Sequence, residues 1–529
     1  MNKFLHNTGK HSALTENLAV AHSTTGSVLA DQFSKSGAHR GRDLKTVFAE
    51  QSYLHNHVPE KALKFVFYLR LVSRKVTYYQ SKTKTEAVQK GQGNRDESFK
   101  RFLWYANNHP DIFYDNIWMF AAVGRYQDFL DIMFLAEQHD IDVNRQIIIN
   151  TMFSYAKLAG QIDLMKKYIP LPKAASKLTT DRAKFMNSIA IYIRDRFGWT
   201  DKQMRQYKAE GNAHNWQQAI SRQNYDNINF NHIPGRALSQ LVNSSFMEES
   251  GLLKKYEKWL DTQPIAKFTG YPYELGMKVT NSMKPYQKKT VDKQFEGLIE
   301  LAEQDQGEIK GNIWCALDTS GSMGRLVAGG NVTAYQVCLS LGIYFSTLNK
   351  GEFHKNVIMF DSTSTVKSIN GTFTDMWRQL TSSSVAWGST NFQSIVDEII
   401  RIRQRYGNSV PLSDYPDTIL VISDMQFNPT GTRETNHEAQ MRKLRQVFPS
   451  KWVDNFRVIW WDVTGRRPDN HPTHIDEGGT YVFSGFDGSI VTLLLGGDFV
   501  EEGGEKRQKT LEESINDALS QEILQQVQL

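Results

Sequence analysis

Asp318-Thr319-Ser320-Gly321-Ser322 sets one carboxylate and two hydroxyls at alternate positions. On a tight turn this spacing aims three hard oxygens at one point, and Gly321 lets the backbone bend between them. Hard oxygen ligands in octahedral geometry suit Mg²⁺, or another divalent cation such as Mn²⁺, with several waters retained. The neighbouring residues argue against catalysis. An aspartyl-phosphate phosphatase needs a second carboxylate two residues after the nucleophile, and Ser320 stands there. The chain holds no Gly-x-x-x-x-Gly-Lys-Ser/Thr loop and no His-Glu-x-x-His pair, and Gly91-Gln92-Gly93 follows no predicted strand. The motif points to a cation that binds a ligand and does no chemistry.

The elements around the motif explain how it would be positioned. Ile313–Leu317 is a short continuous apolar run that ends in Asp318. Val357–Phe360 ends in Asp361, Ile419–Ile422 in Ser423-Asp424, and Val458–Trp461 in Asp462. Helical patterns at 331–349, 391–405 and 434–448 separate these runs. Apolar runs alternating with amphipathic helices predict a parallel β-sheet sandwiched by helices, with ligands at the carboxyl ends of the strands. From about 56 to 304 the spacing is helical, with breaks at Gly91/Gly93, Pro110, Gly160, Pro170/Pro172, Gly198, Pro234 and Pro272. Many short helices between such breaks suggest a HEAT-like α-helical repeat, although no repeated motif is visible. The expected division is an arm at 1–55, a helical domain at 56–304, an α/β domain at 305–500 and a helical tail at 501–529.

Charge divides along the same line. Residues 1–300 carry 42 Lys and Arg against 29 Asp and Glu, whereas the remainder carries 20 against 28. A basic half beside an acidic one suggests a polyanion partner, most simply nucleic acid, or else a solvated basic surface. Only two cysteines are present, Cys315 and Cys338, which excludes a disulfide framework and fits a reducing cytoplasm. No apolar run approaches the roughly 20 residues of a membrane span, and the first residues lack a secretory apolar core.

Asp318-x-Ser320-x-Ser322 resembles the metal-ion-dependent adhesion site of von Willebrand factor type A (vWA) domains. That family adds a Thr from a second loop and an Asp from a third, which implies Thr390 in Gly388-Ser389-Thr390-Asn391 and Asp424 in Ser423-Asp424. A helical half joined to such a domain is similar to the TROVE-module proteins, the family of the Ro autoantigen and its bacterial and phage relatives. The resemblance spans about residues 56–500 and lies in local stretches. These are Phe67-Tyr68-Leu69-Arg70, Gly91-Gln92-Gly93-Asn94-Arg95-Asp96, Gly124-Arg125-Tyr126-Gln127-Asp128, Ile233-Pro234-Gly235-Arg236-Ala237, Tyr271–Leu275 and Ser423–Phe427. It departs from the family by about fifteen residues inserted between the first two pieces. The resemblance implies a ring of helical repeats, closed by the vWA domain, that binds small noncoding RNA in a bacterial or phage-infected cell.

Candidate RNA-binding cations are Arg70, Arg74, Lys75, Lys90, Arg95, Arg125, Arg182, Lys184, Arg194 and Arg196. Each can equally be a solvated or ion-paired helix residue, and Arg125 is the strongest structural case because Asp128 follows three residues on. Tyr78-Tyr79 and Trp104-Tyr105 can stack bases, although helical aromatics more often fill a core. Two readings follow. One is a non-enzymatic RNA-binding scaffold whose metal site takes an acidic group from a protein partner. The other is a vWA adaptor working beside a MoxR-type AAA+ ATPase without RNA, which the absence of a recognised RNA-binding signature keeps open.

Overall fold

The computed structural model describes residues 13–529 except 73, 81–82, 212–215, 264–267, 307–310, 328, 330, 383–387, 466–469, 476, 478, 487–498 and 503–504. It forms two compact units. The first comprises Met1–Arg42, Lys90–Asn94 and Ile233–Leu519; the second comprises Asp43–Gln89, Arg95–His232 and Ser520–Leu529. These limits differ from 55/56 and 304/305, and the cause is packing that no local pattern announces. Helices Pro272–Gly276 and Pro285–Gln306 send Leu275, Val291 and Phe295 into the same core as Leu317 and Leu420 of the sheet.

That sheet has six strands: β1 Ile313–Asp318, β2 Asn356–Phe360, β3 Ser364–Ser368, β4 Thr418–Ser423, β5 Arg457–Asp462 and β6 Thr480–Ser484. Their order is β6-β5-β4-β1-β2-β3. Every neighbouring pair is parallel except β2–β3, which is antiparallel. The sheet is therefore mixed rather than wholly parallel. Only residues 361–363 join β2 to β3, too few for the crossover that a parallel pair requires.

Side chains on a strand alternate between faces, so both faces of these apolar runs are buried. Cys315, Leu317, Leu420, Ile422, Ile459 and Trp461 pack on one side with Val337, Leu341 and Phe345 of helix Ala334–Leu348. Trp314, Ala316, Ile419, Val421, Val458 and Trp460 face Ile395 and Val396 of helix Gln393–Tyr406 and Leu444 of helix Asn436–Arg445. A Cβ at Gly342 would meet Leu317 Cδ2 at 2.5 Å, so the glycine sets how closely the first helix approaches β1. The helix starts at a capping box, with Thr333 and Gln336 exchanging side-chain and backbone bonds.

Residues 13–42, expected to be an arm, belong to this unit. Ala13–Leu14 pairs with Val20–Ala21, Val20 bridges to Thr435, and His22 exchanges both backbone hydrogen bonds with His471 at 2.9 Å.

The second unit is mostly helical. Proline opens helices Pro59–Arg70 and Pro110–Asn116, where its missing N–H costs nothing. Asp43, Asn144 and Thr180 cap others through their side chains. Phe67, Phe102, Phe113 and Phe120 form an aromatic core with ring centroids 4.6–5.4 Å apart. The expectation of an all-helical stretch from 56 to 304 fails at Arg74–Gln80 and Thr83–Gln89, which form an antiparallel hairpin. The hairpin lies between Arg70 and Gly91, and its Thr, Val and Tyr content favours strand. The tail is helical at Leu511–Leu519 and Glu522–Gln526. Its final residues close on the second unit: Gln528 and Asn116 exchange two hydrogen bonds, and Lys64 reaches Gln525. Among the described residues no helix is long and apolar enough to cross a membrane.

Candidate functional site

Asp318 ends β1 and Ser423 ends its neighbour β4, so their loops emerge side by side at the carboxyl edge of the sheet. The parallel pairing itself brings the first and third parts of the motif together. Asp318 Oδ1 accepts the Ser320 N–H at 2.9 Å, and Oδ2 accepts the Ser423 hydroxyl at 2.5 Å. Ser320 Oγ and Ser322 Oγ lie 3.1 Å apart on the turn Gly321–Gly324. The second loop is tied to both others: Gly321 N–H donates to Gly388 O at 3.2 Å, and Asn428 N–H donates to Thr390 O at 2.8 Å. The five residues singled out, Asp318, Ser320, Ser322, Thr390 and Asp424, thus stand on three connected loops.

Asp318, Ser320, Thr390 and Asp424 are all buried, and Thr390 Oγ1 has no hydrogen-bond partner among the described residues. Burial lifts the Asp318 carboxyl above the usual range, and the negative charge of Asp424 adds to the shift, against the bonds from Ser423 and Ser320. Burial likewise raises Asp424, while hydrogen bonds from Ser322 and the Gln426 N–H oppose it. Asp318 and Asp424, which burial keeps from ionising readily, and Thr390, whose hydroxyl has no partner among the described residues, are hard donors that could hold a small cation. No group of three or more His, Cys, Asp or Glu suited to a metal exists among the described residues. The donors here are two carboxylates and three hydroxyls, which fits Mg²⁺ or Mn²⁺ better than a soft metal.

The remaining strand-end acids do other work. Asp361 accepts the Thr363 N–H, and Asp462 accepts the Thr464 and Gly465 N–H groups, with burial pushing its carboxyl up to about 6. Both shape loops. Sequence reasoning missed the segment that borders the site. Thr15 Oγ1 donates to Phe427 O, Glu16 N–H to Gln426 Oε1, and Asn17 Nδ2 to Gln426 O, at 2.6–2.7 Å. Glu16 also pairs with Arg325 at 3.1 Å, and both charges act on Asp424. Nothing in the composition of 13–17 marks it as a neighbour of residues four hundred positions away.

The candidate cations of the helical half fare differently. Arg70 is buried and pairs with Asp128 through Nε at 2.8 Å and NH2 at 2.7 Å. Asp128 was expected to hold the Arg125 side chain; from Arg125 it accepts the backbone N–H alone, and that side chain is exposed. Arg95 and Arg182 share Asp131, Lys184 pairs with Asp181, and Arg194 with Asp195 and Asp201. Lys90 is buried in the first unit, and Arg196 is exposed. Arg74 and Lys75 lie on the hairpin, and their side chains, with that of Tyr79, fall outside the described residues. Tyr78, Trp104 and Tyr105 are buried, so none offers an open ring to a base. Five of the ten, Arg70, Arg95, Arg182, Lys184 and Arg194, are paired with acids of their own chain.

Residues 314–527 match the family described as a domain of unknown function, DUF7788. No curated protein matches in sequence. Among solved structures, the crystal structure of Deinococcus radiodurans RO (RSR) protein is similar, at 13% identity, covering 88% of this chain and 98% of that chain, with a TM-score of 0.42. A likeness at that level is too loose to fix a shared fold.

Proposed function

We propose that the sheet unit is a vWA domain that binds Mg²⁺ or Mn²⁺ through Asp318, Ser320, Ser322, Thr390 and Asp424, and through the cation an acidic group of a protein partner. The cation would supply a docking point for a carboxylate, and the protein would be a non-enzymatic scaffold. The observation that carries this reading is the buried Thr390 hydroxyl, which has no partner among the described residues and stands between loops that bear two buried carboxylates. Leaving such a group unsatisfied costs about 1–3 kcal/mol, which a bound cation and its waters would offset. Titration calorimetry of Mg²⁺ into the wild type and Asp318→Ala tests it. Binding in the first and none in the second supports the site; equal affinity in both refutes it.

The helical unit, on this proposal, binds small noncoding RNA in the manner of Ro-type ribonucleoproteins, in a bacterial or phage-infected cytoplasm. The helical unit's own balance of 26 Lys and Arg against 20 Asp and Glu supports it. The second reading, an adaptor beside a MoxR-type ATPase without RNA, gains from the internal pairing of Arg70, Arg95, Arg182, Lys184 and Arg194. Sequencing of nucleic acid that survives a moderate-salt wash of native protein separates the two. A discrete set of small RNAs selects the scaffold, and clean protein selects the adaptor.

A further inference from the structure

Phe153, Phe197, Trp199 and Tyr207 form a ladder of four aromatic rings within the helical unit. Successive centroids lie 5.0, 4.7 and 4.7 Å apart. The middle pair, Phe197 and Trp199, is nearly parallel at 18°, while the end rings tilt by 46° and 39°. Phe197 is 41% exposed, and the other three rings are partly exposed.

The backbone holds the rings firmly. Helix Asp181–Arg196 ends as Gly198 N–H bonds Asp195 O and Trp199 N–H bonds Arg194 O. Gly198 takes φ +61°, a conformation that side chains disfavour, and this reversal places Phe197 and Trp199 face to face. Thr200 then opens helix Asp201–Glu210 with a capping box to Gln203. Rings fixed in this way lose little freedom when they bind.

The surroundings are cationic. Residues 151–210 contain twelve Lys and Arg against five Asp and Glu. Lys166 Nζ sits 4.6 Å from the centroid of the Tyr207 ring, although Asp163 and Glu210 already pair with it. Lys157 follows Phe153 by one helical turn, Arg196 precedes Phe197, and Lys202 and Arg205 lie on the next helix. All four are exposed and have no ion pair among the described residues. Aromatic faces between cations are what a single strand of nucleic acid uses: bases stack on the rings while phosphates meet the charges. A protein segment could also cover the rings, and exposed Leu158 and Leu164 would suit one. The uncompensated positive charge favours a polyanion.

We propose that this ladder is a stacking platform for unpaired bases of single-stranded RNA, with Lys157, Arg196, Lys202 and Arg205 contacting the backbone. The inference rests on the RNA reading above and supplies a place for it that none of the ten candidate cations supplied, apart from Arg196. It also makes a distinction: duplex RNA, whose bases are already stacked, would meet only the charges.

The test is a fluorescence-anisotropy titration of the full chain with a labelled, unstructured twelve-nucleotide RNA and with the same sequence as a duplex. The wild type is expected to prefer the single strand. Phe197→Ala with Trp199→Ala should weaken that binding about tenfold or more and leave duplex binding unchanged. Phe197→Tyr, which keeps a ring, should retain the affinity and guards against a merely structural effect. Arg196→Glu should lower the slope of log affinity against log salt. A double variant that binds the single strand as well as wild type does overturns the ladder while leaving the RNA reading intact. Wild type that binds neither RNA overturns both, and the ladder is then a protein-docking face.

Discussion

Replacing Thr390 by Val separates what the site does for the fold from what it does for a cation. The two side chains have nearly the same shape, so the change removes only a hydroxyl that is buried and has no partner among the described residues. An unsatisfied buried hydroxyl costs about 1–3 kcal/mol, and its removal should make the metal-free protein more stable by about 1–2 kcal/mol. Mg²⁺ reverses the order. At one hundred times its Kd, a ligand that binds only the folded state adds about 2.7 kcal/mol to the wild type, and Thr390→Val should gain little. Trp460 and Trp461, both fully buried in β5, report unfolding of the sheet unit by their fluorescence in urea. The expected ranking is wild type with Mg²⁺, then Thr390→Val under either condition, then wild type in chelator. A variant less stable than wild type in chelator, or one that gains as much from Mg²⁺, would refute the reasoning.

Further outcomes follow from the geometry. Burial raises Asp318 and Asp424, so Mg²⁺ competes with a proton and its affinity should climb with pH until both are ionised, as calorimetry across pH 5–8 would read. Metal-free stability should move the other way. These carboxyls and Asp462 hold protons more tightly folded than unfolded, so stability is greatest near the ordinary carboxylate range and falls as pH rises, for Asp462 through about 6. Arg70→Ala would strand the buried Asp128 carboxylate and should cost about 3–5 kcal/mol, whereas Arg125→Ala should stay within about 0.5 kcal/mol. Denaturant midpoints for the two variants check this pair directly. Glu16→Gln should change stability by less than about 1 kcal/mol but weaken Mg²⁺ binding a few-fold, because a negative charge near Asp424 is lost and Arg325 is freed. An unchanged Kd would place Glu16 outside the site.

How much of this was legible depends on how local the physics is. Strands β1, β2, β4 and β5 were readable because a strand buried on both faces is an unbroken apolar run, as in Ile419–Ile422. β3, with the sequence Ser-Thr-Val-Lys-Ser and half-exposed, carries no such signal. The hairpin at 74–89 was lost inside a helical neighbourhood because its strands are short and polar. The loops of the candidate metal centre were legible as three motifs in order, each at the end of an element. The unpartnered state of Thr390 was not, since a missing hydrogen bond is a property of the assembled loops. Glu16 beside Arg325, and the rings at 153, 197, 199 and 207, depend on chain reversals that spacing does not encode. The division of Arg70 and Arg125 between core and surface turned on which of two arginines reached Asp128, and sequence proximity favoured the one that did not.

The interleaving of the two units governs the order in which a ribosome can complete them. Residues 13–42 are made early, yet their β-bridge and backbone partners at Thr435 and His471 are made some four hundred residues later. The helical unit waits as well, because Asn116 and Lys64 find Gln528 and Gln525 only after residue 519 has emerged. Neither unit can finish cotranslationally ahead of the other, so the nascent chain must carry unfinished surfaces for most of its synthesis. Deleting residues 520–529 would take Glu522 from the hairpin's Tyr78 and Gln528 from the helical core's Asn116. Truncation of this short segment should therefore behave as a folding defect in the helical unit, not as a trimmed tail.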